Sequence, residues 1–274
     1  MLVDDGAAVG GKRQHLPGVV DVDPTSKDCP VLPPDHPYAE WVLGMSVTPD
    51  GRYAVAGGQS VAASVWDLDT GSVVATLGPF GEPGSAVAVS SAAISPDGSK
   101  VAVRIIGDQQ PRVIVVGLDR SVLAEFPLEP PATSAGHIAF SPDGSLLAAG
   151  GSQLKVFDTK SWTVLWQVDA HNGGVFDLDF SPDGRSIVTT GFDGFVRLWD
   201  AGDGSLLQAI SMGEDFGKAV AFTDDRHVIV GTQNGLVTGL TFDADELLRI
   251  GLSRVTRTLT DQECRTYLHL DTCP

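Results

Sequence analysis

Residues 171–210 read HNGGVFDLDFSPDGRSIVTTGFDGFVRLWDAGDGSLLQAI. Val175, Leu178 and Phe180 make a short apolar strand that stops at Ser181-Pro182-Asp183-Gly184. That tetrapeptide suits a type I turn, with proline fixing φ at the second position and glycine closing the fourth. Ile187 to Thr190 is rich in β-branched residues, and Phe192-Asp193-Gly194 reads as a hairpin turn. Phe195 to Trp199 alternates as a third strand, residues 200–204 turn again, and residues 206–210 form a fourth.

The turn phrase returns along the chain as TPDG at 48–51, SPDG at 95–98, 141–144 and 181–184, and a worn TDDR at 223–226. The aspartates Asp50, Asp97, Asp143, Asp183 and Asp225 lie 47, 46, 40 and 42 residues apart. A turn repeating at that period marks stacked supersecondary units. Four short antiparallel strands per unit make each unit one blade of an all-β β-propeller, with five recognisable repeats. A repeated unit supplies a surface, so specific chemistry needs residues that break the repeat.

The clearest copy ends in Leu198-Trp199-Asp200 and resembles a WD repeat. The resemblance implies a structural hydrogen-bonded tetrad at His171, Thr189, Asp193 and Trp199, which satisfies a buried indole N–H, hydroxyl and imidazole together. The other copies are degraded. Ten residues before Thr48, Ser95, Ser141 and Thr223, where the tetrad histidine would stand, are Tyr38, Ser85, Pro131 and Gly213. His137 lies only four residues before Ser141, inside the first strand, and is not the tetrad histidine. WD-repeat propellers commonly have seven blades. Five repeats leave two readings open: part of a seven-bladed propeller that starts mid-blade, or a ring closed by an N-terminal strand.

Residues 1–44 read as an N-terminal segment holding a partial blade (18–25) and a proline-rich linker (29–37). Residues 45–243 hold the five repeats. In the tail, 244–274, Thr260 and Glu263 form a capping box that predicts a short helix to about His269. The ending Glu263-Cys264-Arg265, Tyr267-Leu268-His269 and Asp271-Thr272-Cys273-Pro274 is similar to that of many bacterial WD-repeat proteins fused to signalling or regulatory modules. This resemblance implies a genuine C-terminus, with any truncation at the N-terminus, and a scaffold working in a signalling assembly, its partner a protein, a peptide or a fused effector domain.

With 18 basic and 35 acidic residues, the net charge is −17. That balance disfavours nucleic acid, which needs a basic footprint, and anionic membrane surfaces alike. The N-terminus lacks an apolar signal-peptide core and no stretch reaches transmembrane length, so the expected location is cytoplasmic. Three cysteines are an odd count, and Cys264, His269 and Cys273 leave a zinc site one ligand short.

No G-x-S-x-G elbow, phosphate loop or H-E-x-x-H occurs, so no catalytic residue, metal or cofactor is expected. The leading reading is a non-catalytic protein-interaction scaffold. The alternative is a propeller enzyme, a metal-dependent or lactonase-like hydrolase using the central channel. Aromatic residues favour interfaces. The candidate protein-binding face therefore comprises Phe192, Phe195, Phe216 and Gln153, with Phe195 the one best placed to tuck between blades.

Overall fold

In a computed structural model, the structure describes residues 42–266 apart from 59–61, 82–86, 108–110, 129–135, 214, 255–259 and 264. The N-terminal partial blade, the three cysteines and the end of the predicted tail helix fall outside them. Five antiparallel sheets follow one another in chain order. The first holds β1 (Val42–Val47), β2 (Tyr53–Gly58), β3 (Ala63–Asp67) and β4 (Ser72–Leu77). The second holds β5 (Ala88–Ile94), β6 (Lys100–Ile106), β7 (Arg112–Gly117) and β8 (Val122–Pro127). The third holds β9 (Ile138–Phe140), β10 (Leu146–Gly150), β11 (Leu154–Asp158) and β12 (Val164–Val168). The fourth, β13 (Val175–Phe180), β14 (Ser186–Gly191), β15 (Phe195–Asp200) and β16 (Leu206–Ser211), is the blade read above. The fifth, β17 (Gly217–Phe222), β18 (His227–Thr232) and β19 (Val237–Thr241), has three strands among the described residues.

The turn phrase explains its own residue choice. Ser181 Oγ donates to Asp183 Oδ1 at 2.7 Å and accepts the Ser186 N–H at 2.9 Å, while Asp183 Oδ1 accepts the Arg185 N–H. Gly184 donates to the Ser181 carbonyl and sits at φ 72°, a left-handed conformation that favours glycine. The same bonds recur at Thr48-Asp50, Ser95-Asp97 and Ser141-Asp143. Hydrogen bonds from Ser95 and from the Ser99 N–H hold the Asp97 carboxyl down at about 2. At 223–226 glycine is gone, and Asp224 takes over by accepting the Arg226 and His227 N–H groups.

Blades pack face to face through four apolar cores. Val55, Val65 and Leu77 meet Val89, Val101 and Val103 between the first two blades. Val113 and Val115 meet Leu147 and Phe157, and Val156 and Trp166 meet Val175 and Trp199. Val188 and Val196 meet Val220 and Val230. Among the described residues no such core joins the fifth blade to the first; Met45 and Val47 on β1, and Ile229 and Val237 on β18 and β19, are exposed.

The first strands line the channel and are stitched laterally. Ser46 Oγ accepts the Ile94 N–H, Ser91 Oγ the Ile138 N–H, Asp177 Oδ2 the Val220 N–H at 2.8 Å, and Asp179 Oδ2 the Phe222 N–H at 2.9 Å. The acceptors stand four or six residues before their turn aspartate, so the stitch follows the repeat. After β19 comes α1 (Ala244–Arg254). Asp243 Oδ1 caps it by accepting the Asp245 and Glu246 N–H groups. α2 (Asp261–Glu263) lies where the capping box predicts a helix start. No helix among the described residues is long and apolar enough to cross a membrane.

Candidate protein-binding face

The fourth blade places the four tetrad residues within hydrogen-bond distance. Trp199 Nε1 can only donate, and it reaches Thr189 Oγ1 at 2.9 Å. Thr189 therefore directs its own hydrogen to His171 Nε2, 2.8 Å away, which leaves His171 Nδ1–H for Asp193 Oδ1 at 2.8 Å. Arg197 donates to the other Asp193 oxygen at 2.7 Å. Burial, together with the Arg197 guanidinium beside it, keeps the imidazole below its ordinary range despite Asp193. Burial also opposes the Asp193 charge, but the hydrogen bonds from His171 and Arg197 outweigh it and hold that carboxyl at about 2. Every polar side-chain atom of the tetrad has a partner inside the blade. Its chemistry is structural.

At the mouth of the channel, away from the turn phrases, the first strands share a second device. The pairing register of β1, β5, β13 and β17 skips one residue each, at Leu43, Ser90, Phe176 and Lys218. Each skipped residue is a β-bulge, which turns a side chain out of the pleat. All four stand seven residues before their turn aspartate, and Gly136 is the equivalent in the third blade. These five positions converge on one cavity of about 560 Å³, within the roughly 300–1,000 Å³ of typical ligand sites. Gly136 has φ 140°, and a Cβ there would come within 3.0 Å of the buried Arg104 guanidinium, so this part of the wall stays open.

Two of the predicted aromatics meet here. Phe192, 41% exposed, and Phe216 have ring centroids 5.7 Å apart. Phe176, absent from the sequence reading, lies 5.0 Å from the first and 6.1 Å from the second. Lys218 Nζ stands 5.2 Å above the Phe176 ring and 5.8 Å above Phe216. Phe195 is not part of this cluster: its ring lies 4.7 Å from the Arg197 guanidinium on the third strand. Gln153 stands apart as well, with Nε2 donating to Asp169 at 2.9 Å.

The cavity also holds an ion pair. His137 Nδ1 donates to Asp177 Oδ1, tying the third blade to the fourth. Burial works against protonation of His137, but Asp177 and the nearby Asp179 outweigh it and raise its pKa above the usual value. Asp179 is raised by burial. It lines a second channel cavity of about 530 Å³ near the turn phrases. Among the described residues no group of three or more His, Cys, Asp or Glu is placed to hold a metal.

Residues 162–200 match the family model described as WD domain, G-beta repeat. The fourth blade is a WD repeat, set in a β-propeller. The matched span covers the last strand of the third blade and the tetrad-bearing fourth up to Asp200. The WD-repeat chain is 26% identical over 185 residues to Protein groucho of Drosophila melanogaster, covering 62% of this chain and 23% of that one. It is 26% identical over 196 residues to WD repeat-containing protein 1 of Xenopus tropicalis, covering 66% and 30%. With the human angio-associated migratory cell protein it shares 30% over 176 residues, covering 59% and 39%. The WD-repeat chain thus spans at most about two-fifths of the length of these curated relatives.

Proposed function

We propose that this WD-repeat propeller is a non-catalytic interaction module that binds a protein or peptide segment at the channel mouth. The observation that carries the reading is the ring of bulged positions, Leu43, Ser90, Gly136, Phe176 and Lys218. The turns and strands repeat from blade to blade, whereas these five aligned positions carry five different residues around one cavity. Exposed Phe192 adds a second aromatic ring to the cavity wall. Aromatic anchors in desolvated pockets dominate protein interfaces. The tail phrase supports a setting in a bacterial signalling or regulatory assembly, cytoplasmic, with the partner a separate protein or an effector domain of the same polypeptide. The net charge of −17 speaks against nucleic acid and anionic membrane as partners.

The test is quantitative affinity capture with wild-type and Phe192→Ala/Phe216→Ala baits, with their folds compared by near-UV circular dichroism. Loss of two anchors is expected to weaken capture roughly thirtyfold or more. Unchanged recovery of every partner would sink the reading. Bound divalent metal together with turnover in a hydrolase screen would overturn the non-catalytic part and restore the channel-enzyme alternative.

A further inference from the structure

We infer that the segment bound at this mouth is an acidic peptide, with an apolar side chain beside Phe176 and Phe192 and a carboxylate on Lys218. This rests on the binding reading above and goes beyond it by fixing the charge of the ligand. Lys218 is exposed and makes no ion pair with any described residue; its ammonium lies over the faces of Phe176 and Phe216. Among the described cations without an ion pair, Lys218 is the one seated over aromatic rings at the cavity. Nearby carboxylates are already engaged: Asp177 by His137 and the Val220 N–H, Asp215 by the Phe216 N–H, Asp193 by His171 and Arg197.

The unpaired charge on the cavity wall is a cation. Of the charged groups that line the cavity, Asp177 is paired with His137, whereas Lys218 pairs with no described residue. Surface charges further off than a Debye length, about 8 Å at physiological salt, are largely screened, so these near groups decide what enters. The acidic turn phrases lie at the opposite end of the channel. The lining is small at Ser90 and Gly136 and bulky at Phe176 and Lys218, which leaves room for an inserted side chain.

The experiment is selection of a random peptide library on immobilised full-length protein, read by sequencing, with Lys218→Glu and Phe176→Ala/Phe192→Ala as parallel baits. Wild type is expected to enrich peptides carrying Asp or Glu within a few residues of Phe, Leu or Trp. K218E is expected to lose the acidic preference or turn it basic, and the phenylalanine variant to lose enrichment altogether. A peptide enriched by wild type, measured by fluorescence anisotropy, is expected to bind K218A roughly two- to fivefold more weakly, the range of an exposed ion pair, with the difference shrinking at high salt. Neutral or basic peptides enriched by wild type but lost with the phenylalanine variant would overturn this inference and leave the binding reading standing. No enrichment by wild type, or enrichment indifferent to the phenylalanines, would overturn both.

Discussion

Thr189 Oγ1 accepts the Trp199 N–H and donates to His171, so one hydroxyl satisfies two buried rings. Thr189→Ala removes a single oxygen and strands an indole N–H and an imidazole nitrogen. Each unsatisfied buried group costs about 1–3 kcal/mol, so a loss of roughly 2–6 kcal/mol in urea unfolding is expected; a change under about 0.5 kcal/mol would contradict the tetrad's structural role. This constellation was legible from residue order, because spacing and residue types survive intact in one blade. Phe176 and Lys218 were not. An alternating pattern assigns them to the outer side of a strand, and only the bulge brings them to the cavity. The signal was nonetheless present. Val175, Leu178 and Phe180 are spaced three and then two, the mark of one extra residue in a period-2 strand.

Among elements, the first strands govern both assembly and recognition. Their side-chain oxygens bind the N–H groups of the next blade, and two of these oxygens belong to carboxylates with different surroundings. Asp177 has His137 as its partner. Asp179 has only backbone donors and the channel, and burial raises its pKa. A carboxyl whose folded pKa is raised favours the fold while protonated, below its unfolded value of about 3.9, and that contribution is lost as pH rises through the folded value. At neutral pH the Asp179 charge therefore costs stability. Asp179→Asn keeps an oxygen for the Phe222 N–H and faces open space, so its urea midpoint at pH 7 is expected to equal or exceed wild type, with the advantage fading on acidification. Asp177→Ala strands the Val220 N–H and is expected to lose about 1–3 kcal/mol. An Asp179→Asn variant less stable than Asp177→Ala at pH 7 would refute this division of roles. The strands and turns themselves were readable throughout, because serine or threonine, aspartate and glycine each have a fixed task in the turn. The lateral stitch was hidden, since Ser46, Ser91, Asp177 and Asp179 look like ordinary polar residues until neighbouring blades are aligned.

At the scale of the molecule, repetition builds the scaffold and departure from repetition builds the site. The seams are apolar and alike, the turn end of the channel is acidic, and the opposite mouth joins three phenylalanines to a lysine that pairs with no described carboxylate. The first and fifth blades keep apolar outer faces exposed, so the symmetry of the repeat does not extend to a fifth core among the described residues. Site-directed photo-crosslinking tests the central claim most directly. A p-benzoylphenylalanine placed at Phe192, on the aromatic mouth, is compared with one at the exposed Ser145 on the turn face, in cells that express the protein. Protein adducts are expected from position 192 and not from position 145. Adducts formed equally at both positions, or at 145 alone, would contradict the assignment of binding to the channel mouth.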